Sequence, residues 1–345
     1  MRLLFALLIL IGPGKYTFGQ EVINNEVTLF SLDDPNGKID FIVADTTFKE
    51  MKPIFLWFQG SQPIPLYVQD KDKLYLLGGG ISNFEIESIK KKYYLVVVSM
   101  PTVPPIVNLD RLSNQYLYLP DPKESEPSIE FQRADFLENY VKRVEAVVEF
   151  LKKKEYIDAS VTFVAGHSQG VRIATEFCAH NEVSAVGLFS PNPLSRITEM
   201  IRKPFFEAKR GNKSWKLAEE EMNYYTELGK WVRDSTLVND NPSLISWRSF
   251  SKDPITTWLE LDMPIYFAYG TEDASADLCE LIPYYFDKCN KRTPTMMRYE
   301  GREHNFFLMN EGKPDYKEPG WETVMNDFIA WVDEIGHKIL ICHLA

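Results

Sequence analysis

Val164-Ala165-Gly166-His167-Ser168-Gln169-Gly170-Val171 sets a serine between two glycines in the pattern G-x-S-x-G. An apolar run at residues 161–165 leads into it, and an apolar-periodic stretch at 169–179 leads away. The segment therefore reads as the junction of a strand and a helix. A strand that turns this sharply holds the serine in a strained backbone conformation and brings neighbouring main chains too close for side chains, which explains Gly166 and Gly170. The Ser168 hydroxyl is pushed out at the carboxyl end of the sheet. A single pentapeptide is suggestive only, so its surroundings carry the weight.

On the N-terminal side, residues 27–32 and 39–44 flank Asp33-Asp34-Pro35-Asn36-Gly37 and read as a β-hairpin. Continuous apolar runs at 54–58 and 94–99 lack alternation, as in strands buried on both faces of a parallel sheet. Between 135 and 153 the apolar positions Phe136, Leu137, Tyr140, Val141, Val144, Val147, Val148 and Leu151 recur every three or four residues, which predicts a helix with one stripe against a sheet. Strands at 185–190, 265–269 and 295–299 then alternate with helices around 278–288 and 321–335. Right-handed crossovers and a mainly parallel sheet are implied, an α/β fold with helices on its faces. Residues 196–260 interrupt the alternation and read as a helical insertion. Leu217, Met222, Tyr225, Leu228 and Val232, with Trp215 and Trp231, suit either a lid over a pocket or a stripe packed on the body.

A serine hydroxyl is a poor nucleophile until a base takes its proton, and that base needs an orienting group. The chain has five histidines. His167 adjoins the serine, but its side chain is expected to leave the turn in another direction. His180 ends the following helix, and His337 and His343 fall in or beyond the terminal helix. His304 remains, in Glu300-Gly301-Arg302-Glu303-His304-Asn305-Phe306-Phe307 directly after a predicted strand. An acid between serine and histidine, on a turn after a strand, completes the set. Pro264-Ile265-Tyr266-Phe267-Ala268-Tyr269-Gly270-Thr271-Glu272-Asp273 supplies Asp273, with Glu272 and Asp277 as rivals.

The order Ser168, Asp273, His304, each on a loop that follows a strand, resembles the α/β-hydrolase superfamily. The segments 270–273 and 300–307 are similar to those of its serine esterase and prolyl-oligopeptidase-like branches. The resemblance runs from about residue 26 to 336. It implies two-step acyl transfer on a small-molecule ester or acyl substrate, with no metal and no organic cofactor. Phe58-Gln59-Gly60-Ser61 takes the place of the family's His-Gly oxyanion loop, with Gln59 where the family has histidine. The implied oxyanion donors are the backbone N–H groups of Gln169 and Ser61, with Gly60 the rival for the second. A thioesterase or a single-domain peptidase would use the same three residues, and a binding protein that keeps the fold without turnover is the alternative of another class. About 150 residues before Ser168 are too few for the propeller of larger peptidases.

The remaining features bound the setting. With 345 residues and 45% hydrophobic content the chain can build one large core or two small ones. The alternation favours one domain, 21–345, carrying the 196–260 insertion. Arg2, nine apolar residues from Leu3 to Ile11 and the exit Gly12-Pro13-Gly14 read as a secretory leader over 1–20, cut after Gly19 or Gln20, which implies a periplasmic or extracellular protein. Nine residues rise about 14 Å as a helix, short of a hydrocarbon core of about 30 Å, so no stable membrane span is expected. Setting Arg2 and Lys15 aside moves the formal charge from −11 to −13, which argues against nucleic acid as partner. Cys178, Cys279, Cys289 and Cys342 contain no C-x-x-C spacing, so zinc is not expected. If one straight helix holds Cys279 and Cys289 they stand about 15 Å apart, beyond disulfide reach; unpaired, mostly buried cysteines are expected. Asn212-Lys213-Ser214 is a glycosylation-type sequon.

Overall fold

The computed structural model describes residues 18–23, 26–35, 37–123 and 125–344, and side chains over the same residues from 19 to 336. Most of the leader, Asn36, Glu124 and the side chains of His337, Cys342 and His343 lie outside this range. Nine strands make one large sheet: β1 (Phe18–Ile23), β2 (Val27–Asp34), β3 (Gly37–Val43), β4 (Lys52–Phe58), β5 (Tyr94–Val98), β6 (Ile157–His167), β7 (Ala185–Phe189), β8 (Ile265–Gly270) and β9 (Thr295–Tyr299). Four of the helices are α1 (Leu137–Lys152), α2 (Gln169–His180), α3 (Arg196–Lys209) and α4 (Trp215–Trp231).

The chain divides into two compact units, which interleave in sequence. The first comprises Met1–Phe58, Gln62–Phe131 and Asn139–Thr162. Within it β1, β2 and β3 run antiparallel, β3 pairs antiparallel with β5, and β5 pairs parallel with β4. The expected hairpin is β2–β3. Phe18, Gly19 and Gln20 pair with Leu32, Ser31 and Phe30, so the last residues of the leader reading stand in an edge strand. The α1 stripe is buried at Tyr140, Val141, Val144, Val147, Val148 and Leu151. Arg143 sits on the same stripe and is buried, with Nη2 donating to the Ser99 carbonyl at 3.0 Å and Nη1 to the Lys38 carbonyl at 3.2 Å. A buried charge is tolerable only with such partners. Sequence reading missed a small sheet of Tyr67–Asp70, Lys73–Leu76 and Ile106–Asn108, whose strands of three or four residues are too short to show a period.

The second unit comprises Gln59–Ser61, Gln132–Glu138 and Phe163–Ala345. Here β6, β7, β8 and β9 pair parallel in that order. Every residue of β7 and β8 is buried, which is why they read as unbroken apolar runs. The terminal helix Trp321–Leu344 packs on β7 so closely that a Cβ on Gly187 would lie 2.5 Å from the Phe328 ring. Residues 196–260 are helical throughout, adding Ser235–Asp240, Pro242–Ser249 and Pro254–Trp258 to α3 and α4. They carry a core of their own in Ile197, Leu228, Val232, Val238 and Leu244. Leu217, Tyr224 and Trp231, seven residues apart on α4, are exposed instead.

The single helix expected around 278–288 is two, Ala276–Cys279 and Ile282–Lys288, because Pro283 takes an early position in the second helix. The premise of one straight helix between Cys279 and Cys289 therefore fails, yet both thiols are free. Cys178 and Cys279 are buried and Cys289 is exposed. No helix among the described residues is long and apolar enough to cross a membrane.

Candidate active site

Ser168 joins β6 to α2 with φ of 57° and ψ of −119°, a positive-φ conformation costly for any residue with a Cβ. The crowding read from the sequence is real: a Cβ on Gly166 would sit 2.3 Å from the Gly170 carbonyl oxygen. Gln169 is the first residue of α2, where backbone N–H groups have no intrahelical acceptor. The Gln59–Ser61 loop comes to the same place, since a Cβ on Gly60 would lie 4.0 Å from the Ser168 Cβ. Gln59 and Gln169 are buried, and Gln169 Nε2 donates to Asp135 at 3.4 Å.

Asp273 follows β8 and His304 follows β9. His304 Nε2 stands 3.0 Å from Ser168 Oγ, and His304 Nδ1 stands 2.6 Å from Asp273 Oδ2. The other Asp273 oxygen accepts from the Ser275 N–H at 2.8 Å. The rivals point elsewhere: Glu272 Oε2 accepts from Arg210 at 2.9 Å, and Asp277 pairs with Arg202. Burial disfavours an ionised Asp273, but the His304 charge, its hydrogen bond and the Ser275 N–H outweigh that and hold the carboxyl below its usual range. Burial likewise disfavours imidazolium at His304, yet the Asp273 charge and hydrogen bond prevail and raise its pKa to about 9.

The acid and histidine loops are stitched together through main chain. Glu272 N–H donates to the Arg302 carbonyl at 2.9 Å, and Gly301 N–H donates to Thr271 Oγ1 at 2.9 Å. Beneath them Phe306, fully buried, packs edge-on against Trp321 and Tyr299.

His167 does turn away from Ser168, but not into an idle position. Its Nε2 lies 3.0 Å from the main-chain carbonyl of His304, and Ser190 Oγ donates to that carbonyl at 2.6 Å. A carbonyl only accepts, so Nε2 of His167 carries the hydrogen. Burial and the neighbouring His304 charge lower its pKa to about 3, keeping it a neutral donor. Trp321 packs edge-on to its ring at 4.9 Å. Ser190 itself has φ of 50°. Two donors thus fix the carbonyl of His304. Sequence reading missed both, because nothing local marks a contact across 137 or 114 residues.

No family model matches the sequence. No curated protein matches it either. Solved structures do. An α/β-hydrolase enzyme from a Medee basin deep-sea metagenome library superposes with a TM-score of 0.50 at 12% identity, over 89% of this chain and 97% of that one. A membrane phospholipase A described as a bacterial virulence factor gives 0.49 at 15%, over 90% and 87%. A cold-adapted esterase from an Arctic intertidal metagenomic library gives 0.43 at 9%, over 83% and 88%. At such identities the likeness is one of fold, and with the strand order above it is plain: the chain has the α/β-hydrolase fold. No group of three or more His, Cys, Asp or Glu that could hold a metal ion occurs among the described residues.

Proposed function

We propose that this protein is a serine hydrolase that cleaves a carboxylic ester through an acyl-enzyme on Ser168. The observation that carries the reading is the unbroken chain from Asp273 Oδ2 through His304 to Ser168 Oγ. In that reading His304 Nε2 takes the hydroxyl proton as Ser168 Oγ attacks the carbonyl carbon. Asp273 holds the Nδ1–H tautomer and stabilises the imidazolium that forms. Backbone N–H groups of Gln169 and of Ser61 or Gly60 receive the developing oxyanion, each worth about 3 kcal/mol to the transition state. Collapse of the tetrahedral species expels the alcohol, which takes its proton from His304. Water, activated by the same imidazole, then releases the acid.

A fluorophosphonate probe tests this directly. Intact mass is expected to show one adduct on the wild-type protein and none on Ser168→Ala. An unlabelled wild type, or an undiminished adduct on the variant, overturns the reading.

The clamp on the His304 carbonyl adds a second expectation. His167→Phe keeps a ring of similar size but removes the N–H donor, and is expected to lower kcat about tenfold with little change in KM. Wild-type kcat in a variant of unchanged melting temperature would mean that Ser190 alone suffices.

A further inference from the structure

A cavity of about 540 Å³ in the second unit opens between α3, α4 and the acid loop. Its apolar wall includes Phe205, Phe206 and Met222, and it touches the candidate site at Asp273 alone; neither Ser168 nor His304 lines it. Its volume falls in the range that holds small ligands. Its polar lining runs against the charge of the whole chain, which is −11. Arg202 reaches it from the middle of α3, and Lys209 and Arg210 from its C-terminal end.

The carboxylates nearby pair with two of these three cations and leave Lys209. Asp277 pairs with Arg202, and Glu272 pairs with Arg210. Asp273 is committed to His304 and its side chain is only 5% exposed. Lys209 has the Phe206 ring 5.9 Å from its ammonium and no carboxylate partner among the described residues. Arg202 lies over the same ring at 5.2 Å, and its buried Nε has no hydrogen-bond partner. Two cations thus share one aromatic ring over an apolar wall, and one of them lacks a counter-charge. Lys209 is exposed at the cavity's rim and Arg202 is half-buried beside it, so an anion that enters meets one cation with no carboxylate of its own.

We infer that this cavity is a binding site for an amphipathic monoanion, a carboxylate at the end of an aliphatic chain, with the chain against Phe205, Phe206 and Met222 and the carboxylate at Lys209 and Arg202. The anion can belong to the substrate, since the cavity meets the candidate site at Asp273, or to a separate ligand. The first case rests on the hydrolase reading and the binding itself does not.

Calorimetric titration of the Ser168→Ala protein with octanoate, octanol and octylammonium separates binding from turnover. Octanoate is expected to bind at least tenfold more tightly than either congener, Lys209→Gln to lose about tenfold of that affinity, and Asp277→Asn, which frees Arg202, to gain. Equal binding of octanol, or octanoate affinity unchanged by Lys209→Gln, overturns the inference. The source is read from kinetics of the active protein. If the anion is the substrate's, the KM of a dicarboxylic half-ester rises about tenfold in Lys209→Gln at constant kcat, with the neutral diester unaffected. If it is a separate ligand, octanoate changes the turnover of a neutral ester without competing with it. Failure of the fluorophosphonate experiment would remove the hydrolase reading and leave the octanoate result standing.

Discussion

Asp273→Asn is expected to lower kcat about 10⁴-fold while KM changes little, because the amide can no longer hold the Nδ1–H tautomer of His304 or balance the imidazolium. Asp277→Asn, four residues on, should leave kcat within a few-fold, since that carboxylate is exposed and faces Arg202. Equal losses, or the reverse ranking, would reject Asp273 as the orienting acid. The pH profile gives a second readout. In the free protein His304 has a pKa of about 9, so it holds a proton at neutral pH and cannot accept one from Ser168. The rate constant kcat/KM is therefore expected to rise with pH through an apparent pKa near 9. Asp273→Asn removes the charge and the charge-assisted hydrogen bond that do most to raise this pKa, so its residual activity should titrate at lower pH. The same linkage acts on stability with the opposite slope. The folded pKa lies above the ordinary value of 6.5, so the stabilisation is complete below that value and is lost as pH rises towards 9.

The second large effect concerns shape. A Cβ at Gly270 would lie 2.1 Å from the Arg302 carbonyl oxygen and 2.8 Å from that of Glu303, both main-chain atoms of the loop that carries His304. Gly270→Ala must therefore part the acid loop from the histidine loop. A cost of about 3 kcal/mol is expected, or about 6–12 °C in melting temperature, with a further loss of activity from the displaced His304. Gly60→Ala is the control: its Cβ meets Ser168 Cβ at an ordinary 4.0 Å, and its stability should match the wild type. A Gly270→Ala protein that melts with the wild type would show that the loops do not need this close approach.

What could be read from the sequence depends on the range of each interaction. Strands β7 and β8 and the α1 stripe announce themselves because burial on two faces or one leaves a local pattern. The junction at Ser168 is legible for the same reason, since its crowding is between Gly166 and Gly170. Asp273 could be ranked above Glu272 and Asp277 only by its place after the glycine turn; what separates them in the fold is which side of the loop meets α3. The clamp of His167 and Ser190 on the His304 carbonyl, and the cavity under α3, depend on packing between segments distant in sequence. The α4 stripe is visible in the sequence, but not that Leu228 and Val232 would face a core within the insertion while Leu217 and Trp231 face solvent.

The uneven burial of the thiols gives the chain an internal gauge of folding. Cys289 meets solvent, whereas burial shields Cys178 and Cys279 and pushes their pKa values upward. In a Cys342→Ser background, a thiol-directed dye should therefore mark Cys289 at once and the other two only as the second unit opens. The delay between those events measures how often the fold breathes. Applied to Gly270→Ala, that clock distinguishes a protein whose reacting groups have moved apart from one that has merely come undone.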